Sequence, residues 1–245
     1  MSLVYSNTTS KNGILQRIER TCGFQDGDVT GNATRLAQFT GDVNVALDKV
    51  LSLIFSVGGT WQFDDSNHTD YPIITTNLVS GQRDYLFTSD QNSNLILEIY
   101  KVLVADDSGD YREILPVDQQ SDAPANYTDG NNTTGLPITY DKTGNGIFLD
   151  PIPNYNEANG LKIFINREAS YFTTSDTTKK PGFAGLFHEY LVLHPSFYYC
   201  TRNGISIRRE LKDELLEMES QIMDFYKMRE KDVVKRLIGA RNNSN

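Results

Sequence analysis

The apolar positions of this chain change period twice. Leu36, Phe39, Val43, Leu47, Val50, Ile54 and Val57 recur in steps of three and four, which places them on one stripe of a helix. Asp42 and Asp48 fall elsewhere on that wheel. Thr40-Gly41-Asp42 offers an internal N-cap, so the pattern allows two helices as well as one. Gly58-Gly59 ends the run. Upstream, Ile14, Leu15 and Ile18 give residues 13–21 a short apolar face, with Asn12 as the expected N-cap and Gly23 as the stop.

From residue 71 the period is two. Residues 73–79 and 83–87 flank Ser80-Gly81-Gln82 and are expected to pair as a hairpin. Residues 95–104, LILEIYKVLV, form the strongest strand, with Leu95, Leu97, Ile99, Lys101 and Leu103 on one side. The turn 106–110 returns the chain through a partner strand, 111–117. Residues 118–135 read as an exposed polar loop. Residues 138–140 and 147–149 flank a Gly-rich hairpin loop. Asp150-Pro151-Ile152-Pro153 stops that ladder, and a long strand is expected over 161–172.

The helical period returns at Phe183. Phe183, Leu186, Phe187, Tyr190, Leu191, Leu193, Phe197 and Tyr198 make residues 183–202 apolar on most sides, the mark of a buried helix. Pro195 is expected to kink it, and Asn203-Gly204 to cap it. A last helix is expected over 207–237, with Leu211, Leu215, Met218, Ile222, Phe225 and Val233 as its stripe. The fold class is therefore α+β. Residues 1–65 and 181–237 make a helical core, 70–180 an inserted antiparallel β-sandwich or barrel-like domain, and 238–245 a basic and polar tail.

Composition changes this picture little. The charged fraction of 22% and apolar fraction of 38% are those of an ordinary globular protein. The net charge of −9 argues against general coating of nucleic acid. No apolar run reaches the ~18 residues of a membrane helix, and the opening residues have no secretory pattern. Cys22 and Cys200 are expected to be free thiols in a reducing compartment. The Asn-x-Ser/Thr triplets at Asn7, Asn32 and Asn67 are then compositional. Past residue 226 the charge reverses. Lys227, Arg229, Lys231, Lys235, Arg236 and Arg241 stand against Glu230 and Asp232, leaving +4. That run is either a solvated helix end favoured by the dipole or a tail that docks on an acidic partner.

Candidate chemistry is thin. His188-Glu189 and His194 suggest a zinc-protease helix, but a spacing of six turns the two imidazoles about 120° apart. A structural role is expected. Asp26-x-Asp28-x-Thr30-Gly31 starts like a calcium loop, yet Ala37 stands where a bidentate Glu is needed, so a turn capping the next helix by Asp or Thr is expected. Asp106, Asp107 and Asp110 read as a hairpin turn. Lys142-Thr-Gly-Asn-Gly lacks the frame of a phosphate loop. No Ser or Cys nucleophile has a convincing partner among His68, His188 and His194. No cofactor or metal is expected.

The order of elements, with SGQRDY, GIFLDPIP and PGFAGLFHEYLVL, resembles the head–tail adaptor (connector or neck) proteins of tailed bacteriophages. The similarity covers about residues 71–225. It implies a helical core with an inserted β-domain, no enzymatic activity, and a homo-oligomeric ring, usually dodecameric. The implied partners are the portal protein, downstream tail or neck proteins, and DNA passing without sequence-specific binding. The implied location is the virion neck, after assembly in the host bacterial cytoplasm. The six cations from Lys227 to Arg241 are the candidate partner-binding residues, and Asp48 or Glu217 candidates for a channel lining. An alternative is a carbohydrate-binding or host-recognition module, with platforms such as Trp61 or Tyr127. A hydrolase is a third reading.

Overall fold

The computed structural model describes residues 2–57, 73–87, 95–117, 133–143 and 146–229. The fold is α+β: among the described residues there are four α-helices and a seven-stranded mixed sheet. The chain forms two compact units. The helical unit holds residues 1–63, 173–178 and 184–245; the β-unit holds 64–172 and 179–183.

In the helical unit, α1 (Ile14–Thr21) starts from Gly13, not Asn12. A Cβ on Gly13 would lie 2.5 Å from the Asn7 backbone nitrogen, so only glycine fits there. Asn12 instead accepts two bonds from the Arg17 guanidinium. The orphan N–H groups of Ile14 and Leu15 donate to the carbonyls of Val4 and Tyr5. This pins the N-terminal segment, with Leu3 and Tyr5 fully buried. A Schellman turn ends α1: Phe24 N–H reaches Glu19 O, and Gly23 takes φ +77°.

The second helix, α2 (Ala33–Val57), is continuous. Its cap is Asn32, whose Oδ1 accepts from Thr34 and Arg35 N–H, and not the Asp or Thr expected from the preceding turn. Thr40 does not break the helix, because its hydroxyl bonds back to Leu36 O at 2.6 Å and to the Tyr5 hydroxyl. Phe39, Val43, Leu47, Val50 and Ile54 of the expected stripe are buried.

A 3-10 turn (Gly185–Phe187) precedes α3 (Tyr190–Arg202), so the helix begins seven residues later than its apolar run. Ala184 is held at this point by the Tyr226 hydroxyl, which accepts its N–H at 3.0 Å. Helix α3 packs against α1, α2 and α4 (Arg208–Arg229), which is why it is apolar on nearly every side. Pro195 lies buried inside it. Ile205 N–H to Cys200 O, with Gly204 at φ +66°, closes its end as expected. In α4 only Leu211, Leu215, Ile222 and Tyr226 are buried among the described side chains.

The β-unit is one curled sheet. Its strands are β1 (Ile73–Leu78), β2 (Asp84–Leu86), β3 (Ile96–Ala105), β4 (Tyr111–Pro116), β5 (Thr139–Thr143), β6 (Gly146–Asp150) and β7 (Glu157–Arg167), in the order β1-β7-β3-β4-β5-β6-β2. The β4–β5 pairing is parallel and the others are antiparallel.

The expected hairpin between residues 73–79 and 83–87 does not form. Its turn does: Gln82 N–H bonds Val79 O at 3.1 Å. But β1 pairs with β7 and β2 with β6, at opposite edges of the sheet. Six inter-strand gaps of ~4.8 Å would separate those edges by about 29 Å if the sheet were flat. Six Cα steps from Leu78 to Asp84 span at most about 22 Å, less with a tight turn between them. The connection therefore forces the curl, and Tyr85 secures it by accepting the Val79 N–H at 3.0 Å.

The inner face is aliphatic. Ile74, Ile163, Val102 and Ile114 stand side by side across four strands, followed by Val104 with Leu161 and by Tyr140 with Leu149. In β3 the buried residues are Val102, Val104 and Ala105, and none of the expected set Leu95, Leu97, Ile99, Lys101 and Leu103 is among them. Irregularities at 96–98 and 99–101 shift the alternation, leaving Leu95 and Leu97 more than half exposed.

Candidate functional site

The three residues that most suggested chemistry each have a place in the helical packing. His188 is buried and accepts the Leu3 N–H on Nδ1 at 2.9 Å, which fixes the proton on Nε2. Glu189 forms an ion pair with Arg17 of α1. His194 is buried between the rings of Tyr190 and Tyr198, with centroids at 5.7 and 4.7 Å. Burial holds its imidazole below the ordinary value; Glu219 opposes that and Lys49 adds to it. Its Nδ1 has no hydrogen-bond partner among the described residues. Tyr190 donates to Glu219 of α4 at 2.8 Å, and burial pushes its phenol well up. So the two imidazoles serve different neighbours, and because His188 lies before the start of α3 the helical rotation expected from a spacing of six does not apply between them.

The calcium-like loop closes on a residue outside its own motif. Glu19 of α1 is 1% exposed, and its carboxylate accepts the N–H groups of Gly27, Val29 and Thr30. Those backbone donors replace the water a buried carboxylate loses. Sequence reading missed Glu19, because its partners are backbone amides that leave no trace in side-chain identity. Asp106 plays a similar part in the β3–β4 turn. Backbone N–H groups of Asp110 and Ser108, then Arg112, hold its carboxyl below the ordinary range. No group of three or more His, Cys, Asp or Glu among the described residues is placed to hold a metal.

Cys22 and Cys200, far apart in sequence, meet beside Ser196. Both are free and buried, and burial pushes the Cys22 thiol up to about 12. A thiol held that high is inert at neutral pH.

The outer side of α4 is an exposed, charge-bearing surface of the helical unit. Glu214, Glu217, Met218 and Gln221 recur at helical spacing and, with Glu189 and Leu193, line a shallow groove. Gln221 donates to Glu217 at 3.0 Å. The i, i+3, i+4, i+7 spacing of those four residues is visible in the sequence. What it does not show is that Leu193 and Glu189 complete the wall. Of the expected partner-binding cations, Lys227 is exposed at the end of α4, and Arg229 is its last residue. Lys231, Lys235, Arg236 and Arg241 lie outside the described residues. Asp48 and Glu217, the channel-lining candidates, are both exposed.

The aromatic platforms Trp61 and Tyr127 also lie outside the described residues, as does His68. On the outer face of the sheet, the Tyr111 ring carries the Lys162 ammonium 3.7 Å from its centroid, and its hydroxyl donates to Asn159 O. That ring face is already occupied by a cation, which is the contact a sugar would need to displace.

No helix among the described residues is long and apolar enough to cross a membrane. No protein-family model matches the sequence, and no curated protein matches it.

Proposed function

We propose that this chain is a structural protein of a tailed phage that forms a ring joining the portal vertex to the tail and extending the DNA channel. The observation that carries this reading is the architecture. A helical unit assembled from both ends of the chain is interrupted by a β-unit, and its last helix turns a long charged side outward. This is the element order of the head–tail adaptors that the sequence resembles. The polar groups examined for chemistry support the same reading: His188, Glu189 and Glu19 are each engaged in holding the helical unit together. The work left to the surface is then assembly, in which exposed faces bury against neighbouring subunits. The net charge of −9 suits a channel that repels DNA and lets it slide.

The test is a mass measurement of the purified chain alone and mixed with the portal protein of the same phage. Ring-sized assemblies on the portal are expected. A chain that stays monomeric and never binds the portal overturns the proposal. Monomers in the absence of portal do not, since the portal can act as template.

A further inference from the structure

We infer that Cys22 and Cys200 form an oxidation site, at which a small-molecule disulfide converts the two thiols to a bond that staples α1 to α3. The inference uses the helical unit alone, so it stands apart from the ring reading. Two helix ends place the pair. Cys22 caps α1, and its N–H donates to Ile18 O at 2.9 Å. Cys200 lies in the last turn of α3, and its carbonyl accepts the Ile205 N–H at 2.9 Å. Packing of α1 on α3 brings the two thiols into hydrogen-bonding contact. Ser196, four residues before Cys200, shares its face of α3 and also meets Cys22. Ser196 and Cys200 are fully buried, and Cys22 is 8% exposed. Among the described residues no His, Asp or Glu joins the two thiols in a metal-holding group. Two thiols in contact, with no third ligand and no base, are left with each other as reaction partners.

The bond would matter because of how the unit is assembled. It gathers residues 1–63 with residues 184–245, and the chain between them passes through the β-unit. A bond from Cys22 to Cys200 joins those two stretches directly and closes that whole passage into a loop. The longer the closed loop, the more entropy the unfolded chain loses. The chemistry balances. One cysteine thiolate attacks a sulfur of the small disulfide and expels the first thiolate. The other cysteine then attacks the protein sulfur of the mixed disulfide and expels the second. The protein gives up two protons and two electrons, and the oxidant leaves as two thiols. Burial sets the pace. It raises both thiols, so the closed site does not react. Attack starts when the end of α1, a helix of only 8 residues, opens and Cys22 meets water. A reducing compartment keeps the pair as thiols, and an oxidising one closes it.

The full-length wild-type chain, held as a dilute folded monomer in oxidised glutathione at pH ~8, tests this. Both thiols are expected to disappear from titration in denaturant, with a mass loss of about 2 Da per chain. Peptide mapping is expected to join the peptides holding Cys22 and Cys200. Thermal unfolding of the helical unit, followed by its circular dichroism, is expected to shift up by about 5–10 °C. Reductant is expected to reverse the shift. Cys22→Ser and Cys200→Ser, each compared with itself before and after oxidation, are expected to show no shift. Thiols that survive the oxidised buffer overturn the inference. So do chains that end as separate glutathione adducts, or a bond that forms without raising the transition. None of these outcomes bears on portal binding, so the ring reading is tested separately.

Discussion

The helical unit and the β-unit specify their cores by different means. Gln16, Glu19, Thr40, His188, His194 and Ser196 are buried in the helical unit. In the β-unit the buried polar residues are Asn166 and Arg167 at the end of β7, and the inner face of the sheet is built from Ile, Val, Leu and Tyr. The reason lies in the backbone. A helix satisfies its own N–H and C=O groups, so an apolar stripe alone lets it slide or rotate against its neighbours. The helical unit also gathers pieces distant in sequence, as the Leu3–His188 bond shows. Buried polar pairs with one correct partner fix that register. In the sheet the ladder itself fixes register, so the inner-face cluster can be built from aliphatic and Tyr side chains, with the buried polar pair Asn166 and Arg167 left to the end of β7.

Four substitutions break or sharpen this contrast, in order of expected effect. Ile163→Ala removes a fully buried side chain between Ile74 and Val102. A loss of about 3–4 kcal/mol is expected in urea unfolding, with faster amide exchange in β1, β3 and β7. Glu19→Ala strands three backbone donors. It is expected to cost about 2–3 kcal/mol, and Glu19→Gln less, because the amide oxygen still accepts. A null effect of Glu19→Ala would remove the claim that polar partners fix the helical unit.

The third is a pH effect. Burial depresses the His194 value below 6.5 in the folded chain. As pH falls through 6.5 the unfolded chain takes up a proton first, so stability is lost between 6.5 and the folded value. His194→Phe is expected to flatten that part of the pH profile of thermal unfolding, by at most about 1.4 kcal/mol per pH unit. The fourth is a control in the β-unit. Lys162→Ala removes the ammonium from the Tyr111 face. It is expected to cost no more than about 1 kcal/mol, because that pair lies outside the core.

Much of the fold was legible because period reports burial directly. The stripe from Phe39 to Ile54, the β5–β6 hairpin and the glycine caps after α1 and α3 follow from local chemistry. The errors share a cause. The failed β1–β2 hairpin, the shifted face of β3 and the late start of α3 are set by partners far along the chain, which no local pattern contains. Ser80-Gly81-Gln82 does make a turn, but which strands flank it as partners is decided by β6 and β7. The candidate site was half legible. The i, i+3, i+4, i+7 spacing of Glu214, Glu217, Met218 and Gln221 is plain in sequence, whereas the wall supplied by Glu189 and Leu193 needed the packing of α3 on α4.

The most direct measurement is electron microscopy of the chain bound to purified portal, averaged down the portal axis. A closed ring coaxial with the portal channel, with one copy of this chain repeating around it, is the expected image. Bare portals at saturating concentrations of a folded chain, or single copies bound off the axis, contradict the assignment to the neck.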